Sequence, residues 1–190
     1  QGGYTMNRQM VQRFVLLALV ACLLLPATVS ARQYLTPAPL SQAEKDSLAF
    51  MREEEKLARD VYIFFYEEYR IPIYSNLARS EQRHTDAIKT LLDRYGLPDP
   101  AAGKKPGEFE NDDLQSLYNE LIARGTGSLA EALRVGVFIE ETDIADLQDA
   151  LLLVNHNDIK TVYLNLLSAS TNHLKAFTST LAKYGFPVEP

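Results

Sequence analysis

Glu81 and His84 lie three residues apart in a segment whose other regularly spaced positions are apolar. Residues three or four apart share one face of an α-helix, so the pair falls on the face that should pack into a core. Burial of an ionised carboxylate without a positive partner is strongly unfavourable. Carboxylates and neutral imidazoles together suit iron or manganese, and also zinc. A bound metal ion would offset the cost of burying this pair, so the pair indicates a metal site as one possibility.

Three further segments carry polar residues at or beside the centre of an apolar stripe. Asp143 is predicted one step from the centre of its stripe, with Glu141 beside it. No Lys or Arg lies on the four stripes, so one or two divalent cations would balance the carboxylates. The polar positions are Glu55 on the first segment, Glu140, Glu141 and Asp143 on the third, and Ser170 and His173 on the fourth.

Each position by itself also has a purely structural interpretation. A lone Glu-x-x-His is common on surface helices. Glu55 ends the acidic run 53–55, which is typical of a solvated helix face, and Glu140 could reach water at the rim of its stripe. His173 alone would be a hydrogen-bonded core histidine. The combination on four helices favours metal binding over a bundle whose polar residues are satisfied by water.

The elements that must position these residues are helices, and no segment shows strand alternation. The punctuation predicts an all-α fold, a four-helix bundle with one long crossover connection that carries a short helix. The crossover follows from the long stretch between the second and third long helices, because antiparallel neighbours need only a few linking residues. The predicted helices span 41–69, 74–95, 111–125 (the short one), 128–154 and from Asn157 or Asp158 to Gly185.

The residues before the first helix have the pattern of a secretory signal peptide. Arg8 and Arg13 precede the apolar run 14–25, and small residues favour cleavage after Ala31. Met6 is the predicted natural start. Residues 19–22 also resemble a lipobox, which would leave a lipid anchor on Cys22. We predict a signal peptide over 1–31, a linker over 32–39, a bundle domain over 40–187, and a periplasmic or extracellular location.

Composition narrows the choice of partners. The chain has a net charge of −6 at pH 7 and no basic cluster, which argues against nucleic acid and, unless Cys22 is lipidated, against a membrane. The expected partners are metal ions or a small oxidant. The oligomeric state stays open, with a dimer as one option.

The motifs resemble the ferritin-like superfamily of carboxylate-bridged dimetal proteins, and within it the rubrerythrin branch. In that branch the first helix carries Glu, Ala three residues on and Tyr seven on; the second carries Glu-x-x-His, the third Glu-x-x-Glu and the fourth a second Glu-x-x-His. The matching residues are Glu55, Ala58 and Tyr62, then Glu81 and His84, then Glu140 and Asp143, and finally His173, with Ser170 in place of the last glutamate.

The stretches 54–62, 80–84, 140–147 and 172–177 are also similar to a domain family of uncharacterised function in the same group, over about Leu40 to Phe186. The resemblance implies a centre of two divalent ions, iron first and manganese or zinc as alternatives, that handles dioxygen, peroxide or iron. It implies the ligands Glu55, Glu81, His84, Glu140, Asp143 and His173, less certainly Glu141, with Tyr62, Tyr163, Ser170 and Asn172 around them.

Ser170 is the departure from the pattern. Asp143 or Glu141 could replace the missing carboxylate, one metal could bind weakly, or a single metal could bind. With no Cys-x-x-Cys pair in the chain, redox chemistry would need a separate reductant. The alternative function is an exported, non-enzymatic helical module that stores or senses a metal or binds a protein.

Overall fold

The structure is a computed structural model that describes residues 39–187. The predicted signal peptide, the cleavage site after Ala31, the lipidation alternative at Cys22 and most of the predicted linker lie outside the described residues. The predicted bundle domain, 40–187, falls entirely within them.

The described residues form five helices and no strand, as the helix-starting and helix-ending residues of the sequence predict. The four long helices and the short α3 end within a turn of their predicted limits. They are α1 Gln42–Tyr69, α2 Pro72–Tyr95, α3 Asp112–Gly125, α4 Leu129–Leu153 and α5 Asn157–Lys183.

Local side-chain chemistry explains several of the helix ends. The Ser41 hydroxyl accepts from the Glu44 amide while the Glu44 carboxylate accepts from the Ser41 amide, so the predicted capping box of α1 is confirmed. Asn111 caps α3 through two backbone amides. Gly96 ends α2 in the left-handed conformation, which glycine adopts without strain.

The start of α5 differs from the prediction of a cap at Asn157 or Asp158. The residue before the helix is His156, whose side chain makes no cap hydrogen bond, and Asn157 is already helical. Asp158 instead accepts from Arg94 and Tyr95 at the end of α2. A tertiary contact therefore uses the carboxylate that local reasoning assigns to the helix end.

The four long helices pack in a ring in which every neighbour is antiparallel. The pairs in contact are α1 with α2, α2 with α5, α5 with α4, and α4 with α1. Glu44 of α1 bonds the amide of Asn155 after α4, whereas Tyr62 bonds Glu140, so α1 and α4 run in opposite directions. Two hairpins thus form one bundle.

This arrangement requires the segment between α2 and α4 to run along the bundle, as the crossover prediction states. Residues 99–111 are held against the outer side of α1. The Lys56 ammonium, itself buried, donates to the carbonyls of Lys105 and Glu108, and the Glu53 carboxylate accepts from two backbone amides at the start of α3. The crossover therefore covers a side of α1 that would otherwise face water.

The core has two apolar ends and a polar middle. One apolar cluster includes Phe65, Tyr74 and Phe177, and the other includes Leu48, Ile88 and Ile159. The buried glutamates and histidines of the four stripes lie between these clusters along the helices. None of the described helices combines the length and apolarity that a membrane span requires.

Glu44 offers a test of how the helix ends are held together. Its carboxylate caps α1 and also accepts from the amides of Asn155 and His156 and from the His156 ring. Burial alone would raise the pKa of Glu44, but the hydrogen bonds from His156, Asn155 and Ser41 lower it to about 2, from an ordinary value of 4.5.

We expect Glu44→Gln to lower the free energy of unfolding at pH 7 by about 1–3 kcal/mol, because buried donors lose a charged acceptor. A carboxylate whose folded pKa is depressed stabilises the fold above its unfolded pKa. The difference from wild type should therefore be complete above pH 4.5 and shrink as the pH falls toward 2. Urea unfolding at several pH values measures it. Asp46→Asn, at an exposed position of the same helix, serves as the control and should change stability little.

Candidate metal centre

The structure buries all six principal residues predicted as ligands and brings them to the polar middle of the bundle. Glu141, the less certain candidate, is exposed on the outer side of α4 and takes no part in the cluster. The buried six are Glu55, Glu81, His84, Glu140, Asp143 and His173.

Glu55, Glu81 and His84 form the first of two groups that could hold a metal ion. His84 Nδ1 lies 2.7 Å from Glu81 Oε2 and 3.1 Å from Glu55 Oε2. One donor atom from each residue lies within 4.8 Å of the other two. Helix α1 supplies one donor and α2 supplies two, since Glu81 and His84 lie one turn apart on the same face.

Glu81, Glu140 and His173 form the second group. His173 Nδ1 lies 2.8 Å from Glu81 Oε1 and 3.5 Å from Glu140 Oε2. Glu81 therefore belongs to both groups and directs one carboxylate oxygen to each histidine. The two imidazole rings are nearly parallel, with centroids 5.6 Å apart. The shared carboxylate makes the pair of groups a single site with two halves.

Several donor atoms of this cluster are buried with no hydrogen-bond partner among the described residues. His173 Nδ1 and Glu81 Oε1 are close, but their geometry is not that of a hydrogen bond. Buried polar atoms are normally paired. Oxygen and imidazole nitrogen atoms that converge without partners fit a divalent transition metal. The unpaired atoms at the two groups and beside them are Glu55 Oε1, Glu81 Oε1, Asp143 Oδ1 and His173 Nδ1.

Two hydroxyl groups hold ligand candidates from the side away from the cluster. Tyr62 donates to Glu140 Oε1 over 2.6 Å, and its ring is fully buried. Ser80 Oγ lies 3.0 Å from His173 Nε2, the ring nitrogen opposite Nδ1. Such contacts orient a carboxylate or an imidazole toward a metal. The sequence analysis includes Tyr62 but misses Ser80, which precedes the Glu-x-x-His pair and has no signal of its own.

Of the other residues predicted around the ligands, one lies beside the cluster and two lie away from it. Ser170 is buried and lies against Asp143, while its hydroxyl also reaches the Leu166 carbonyl. Tyr163 is instead in the apolar end of the core, where its hydroxyl pairs with Ser47. Asn172 is exposed and bonds the Ser168 carbonyl.

Asp143 is more central than the spacing predicts. The spacing in the sequence predicts that Val137, Ile144 and Leu151 belong to the buried stripe of α4. In the structure the neighbouring residues Gly136, Asp143 and Ala150 take these places, together with Glu140 and Leu147. A Cβ at Gly136 would lie 2.3 Å from the Phe177 ring, so the helices approach closely only because this residue is glycine. The close approach at Gly136 lets the side of α4 that contains Asp143 and Ala150 pack into the core, while Glu140 and Leu147 stay on the stripe as predicted.

A similar shift occurs near the end of α5. Tyr184, predicted on the seam, is exposed, and Leu181, predicted on its margin, is fully packed. The helix ends at Lys183, so Tyr184 no longer follows the helical spacing.

The acidic run 53–55 is not a solvated face, because α1 has neighbours on three sides. Glu53 faces the crossover, Glu55 faces His84 of α2, and Glu54 faces Asp143 and Asp146 of α4. Glu54 is only 7% exposed, and its Oε2 has no partner among the described residues. The sequence analysis misses Glu54, since it gives α1 a single buried stripe.

The attraction between Glu81 and the two histidines is the favourable electrostatic interaction in the cluster. Burial lowers the pKa of His84, but Glu55 and Glu81 outweigh it and raise the pKa to about 11. The pKa of His173 rises to about 9 against the same opposing effect of burial, through Glu140 and Glu81. Burial would raise the pKa of Glu81, yet the two histidines lower it to about 2.

The other carboxyl groups are less well compensated. Burial, and next the charge of Asp143, raises the pKa of Glu54 and of Glu55 well above the ordinary value. The pKa of Glu140 rises to about 7, mainly through burial, with Glu81 adding to it against the opposing effect of His173. Burial raises the pKa of Asp143 to about 7 as well. Five buried carboxyl groups thus surround two imidazoles, and full ionisation of all five would leave the cluster with a surplus of negative charge, so burial and mutual repulsion raise the pKa values of all but Glu81.

The fold and the cluster define the class of this protein: an all-helical protein with buried Glu/His groups that could bind a metal. The chain belongs to the family described as Uncharacterized protein domain (DUF2202), whose profile matches residues 44–190. It is 45% identical over 152 residues to Uncharacterized protein MJ0754 of Methanocaldococcus jannaschii, across 80% of this chain and 82% of that protein.

Two solved structures are similar. The crystal structure of hypothetical protein MJ0754 from Methanococcus jannaschii has a TM-score of 0.78 and 45% identity, over 80% of this chain and 87% of that one. The crystal structure of a DUF305 fragment from Deinococcus radiodurans has a TM-score of 0.57 at 12% identity, over 77% of this chain and 99% of that one, which shows a shared fold alone.

The surplus of charge predicts an unusual mutational effect. In protein treated with a chelator, Asp143→Asn should raise the melting temperature at pH 7. A carboxyl group whose folded pKa is raised to about 7 destabilises the fold above its unfolded pKa, and the amide removes that cost while keeping the side-chain size. The shift should be about 2–4 °C for each kcal/mol of relieved repulsion. Glu141→Gln makes the same charge change on the outside of α4 and should leave the melting temperature unchanged. A lower melting temperature for Asp143→Asn would contradict the surplus of charge.

Proposed function

We propose that this protein is a ferritin-like metalloprotein with a carboxylate-bridged centre of two divalent ions. Glu55 and His84 would hold one ion, Glu140 and His173 the other, and Glu81 would bridge them. The observation that carries the proposal is the sharing of Glu81, whose two carboxylate oxygens face the two histidines at 2.7 and 2.8 Å.

Asp143 would complete the set in place of the glutamate that Ser170 replaces. It is 5% exposed, one of its oxygens lacks a partner among the described residues, and it lies against Ser170. A serine leaves room on α5 for a carboxylate that comes from α4. This is the first of the three outcomes that the departure at Ser170 leaves open.

The charge balance supports two ions rather than none. Two imidazolium ions would leave the five carboxyl groups with excess negative charge, whereas two divalent cations would neutralise four carboxylates. The ring of antiparallel helices with one crossover supports the ferritin-like assignment. Iron is our first candidate because the donor set is rich in carboxylate and contains imidazole, and manganese and zinc are the alternatives.

We propose dioxygen, hydrogen peroxide or the metal ion itself as the substrate. Iron ions bound here would supply one-electron redox chemistry. The residues of the chain orient the donors through Tyr62 and Ser80 and exclude bulk water, since the six candidate ligands are all buried. The cavity lined by Glu54 and Asp143 has a volume of about 20 Å³, which is space for a water-sized molecule and supports a small substrate. Export through the leader stays a prediction.

Metal stoichiometry tests the number of sites. Protein expressed with iron in the medium and purified without chelators should contain about two divalent ions per chain, measured by elemental analysis. His84→Ala and His173→Ala should each reduce the content to about one. Glu81→Gln should remove most of both, because it weakens both halves at once.

Glu141→Gln provides the matched control and should keep the wild-type metal content. Circular dichroism on each variant confirms folding before its metal is counted. Stoichiometric metal in Glu81→Gln, or none in wild type, would overturn the proposal of a dimetal centre.

Reactivity separates an enzyme from a storage or sensing module. Anaerobic protein loaded with ferrous iron should develop new absorbance within seconds of adding hydrogen peroxide or dioxygen, and Glu81→Gln loaded identically should not. Repeated cycles with an added reductant measure turnover. Bound iron that reacts with neither oxidant would support metal storage or sensing in place of catalysis.

A further inference from the structure

The interface between α1 and α4 contains carboxylates that the proposed centre does not use. Glu54 lies close to Asp143 and Asp146. Burial, and next these two carboxyl groups, raises the pKa of Glu54, which lines one cavity together with Asp143. Asp146 is half-buried at the surface, whereas Glu54 and Asp143 are buried. The three side chains therefore lead from the surface toward the residues proposed to hold metal.

Two cavities lie on either side of Glu54 and Asp146. The inner cavity is lined by Glu54 and Asp143 together with apolar residues of α1, α3 and α4, including Leu57, Leu114 and Ile139. The outer one is a surface groove of about 330 Å³ between the start of α1 and the end of α4. Asp146 lines the groove and contacts Glu54, so it joins the two cavities.

The charge of the groove suits a cation. Asp46, Asp146 and Asp149 line it, and none of its lining residues is Lys or Arg. A groove of similar size between α1 and α2 contains Arg59 and Arg79, which repel cations. A concave surface lined by one sign of charge concentrates ions of the opposite sign and accelerates their capture.

Two oxygens without partners in the described part of the chain belong to the acidic side chains that line the inner cavity. Glu54 Oε2 and Asp143 Oδ1 belong to side chains 7% and 5% exposed, and neither atom has a hydrogen-bond partner among the described residues. Thr142 also lines this cavity, but its hydroxyl bonds neither oxygen. A stable core would use an apolar residue or an amide at position 54, so the carboxylate at this position is costly without a ligand.

We propose that divalent cations reach the candidate metal centre through this interface, from the groove with Asp46, Asp146 and Asp149, past Glu54, to Asp143. Glu54 is a transient ligand that replaces lost water contacts of the ion during passage. Asp143 receives the ion and belongs to the centre itself. This inference rests on the proposed function and adds the route by which the metal arrives.

Uptake kinetics test the route on the full chain. Chelator-treated protein is mixed with Co²⁺ in a stopped-flow instrument, and the absorbance of the bound ion is followed. Glu54→Gln should slow uptake by about tenfold and Asp146→Asn by a smaller factor, within the range that local charge produces. Both variants should reach the wild-type metal content at equilibrium, because neither residue belongs to the centre.

Glu141→Gln, an equal charge change elsewhere on α4, should load at the wild-type rate. Asp146 is half-buried at the surface, so its variant keeps the test valid if Glu54→Gln folds poorly. Wild-type rates in both variants, with metal bound by the wild type, would overturn the route alone. A lower final metal content in Glu54→Gln would also overturn it, because Glu54 would then be a permanent ligand. Failure of the wild type to bind any metal would instead overturn the proposed function.

Discussion

Burial of several carboxylates in one small volume is the constraint on which the structure depends. Glu54, Glu55, Glu81, Glu140 and Asp143 come from three helices and meet two histidines in the middle of the bundle. Each carboxylate loses its hydration, and mutual repulsion adds to that cost. The favourable contacts around Glu81 offset part of it, and the remaining surplus of negative charge is what makes this region a candidate for metal rather than a structural core.

Contacts elsewhere in the fold offset the free-energy cost of burying these carboxylates. Apolar clusters lie on both sides of it along the helices, and the capping box at Ser41 and Glu44 holds the start of α1 to the segment after α4. The crossover adds buried contacts of a different kind, because Lys56 and Glu53 bind its backbone from α1. As a result α1 is covered on nearly every side, and three consecutive glutamates can each be buried against a different neighbour.

Ser170 stands where the pattern has a glutamate, which makes the site less symmetrical, but the carboxyl group of Asp143 takes the place of the missing one. Asp143 comes from α4 and occupies space beside Ser170 on α5. The two halves around His84 and His173 consequently have different surroundings: Glu55 is close to His84, whereas Glu140 is fixed by Tyr62. Asp143 also lies close to Glu54 and lines the inner cavity, so the position of this one residue affects both the proposed centre and the access to it.

Periodicity and local chemistry in the sequence alone determined the helical class, the helix limits to within a turn, the crossover, and burial of the principal ligand candidates other than Asp143. These features follow from interactions between residues close along the chain, which apolar spacing, capping boxes and glycines report directly. Tertiary packing decided the rest. The close contact of Gly136 with Phe177 let α4 pack with Asp143 in the core, and the packing of α4 against α1 made Glu54 a buried residue. Ser80 reached His173 only because α2 and α5 are neighbours. These outcomes depend on which helices adjoin and how closely they approach, and a pattern within one helix contains no information about either.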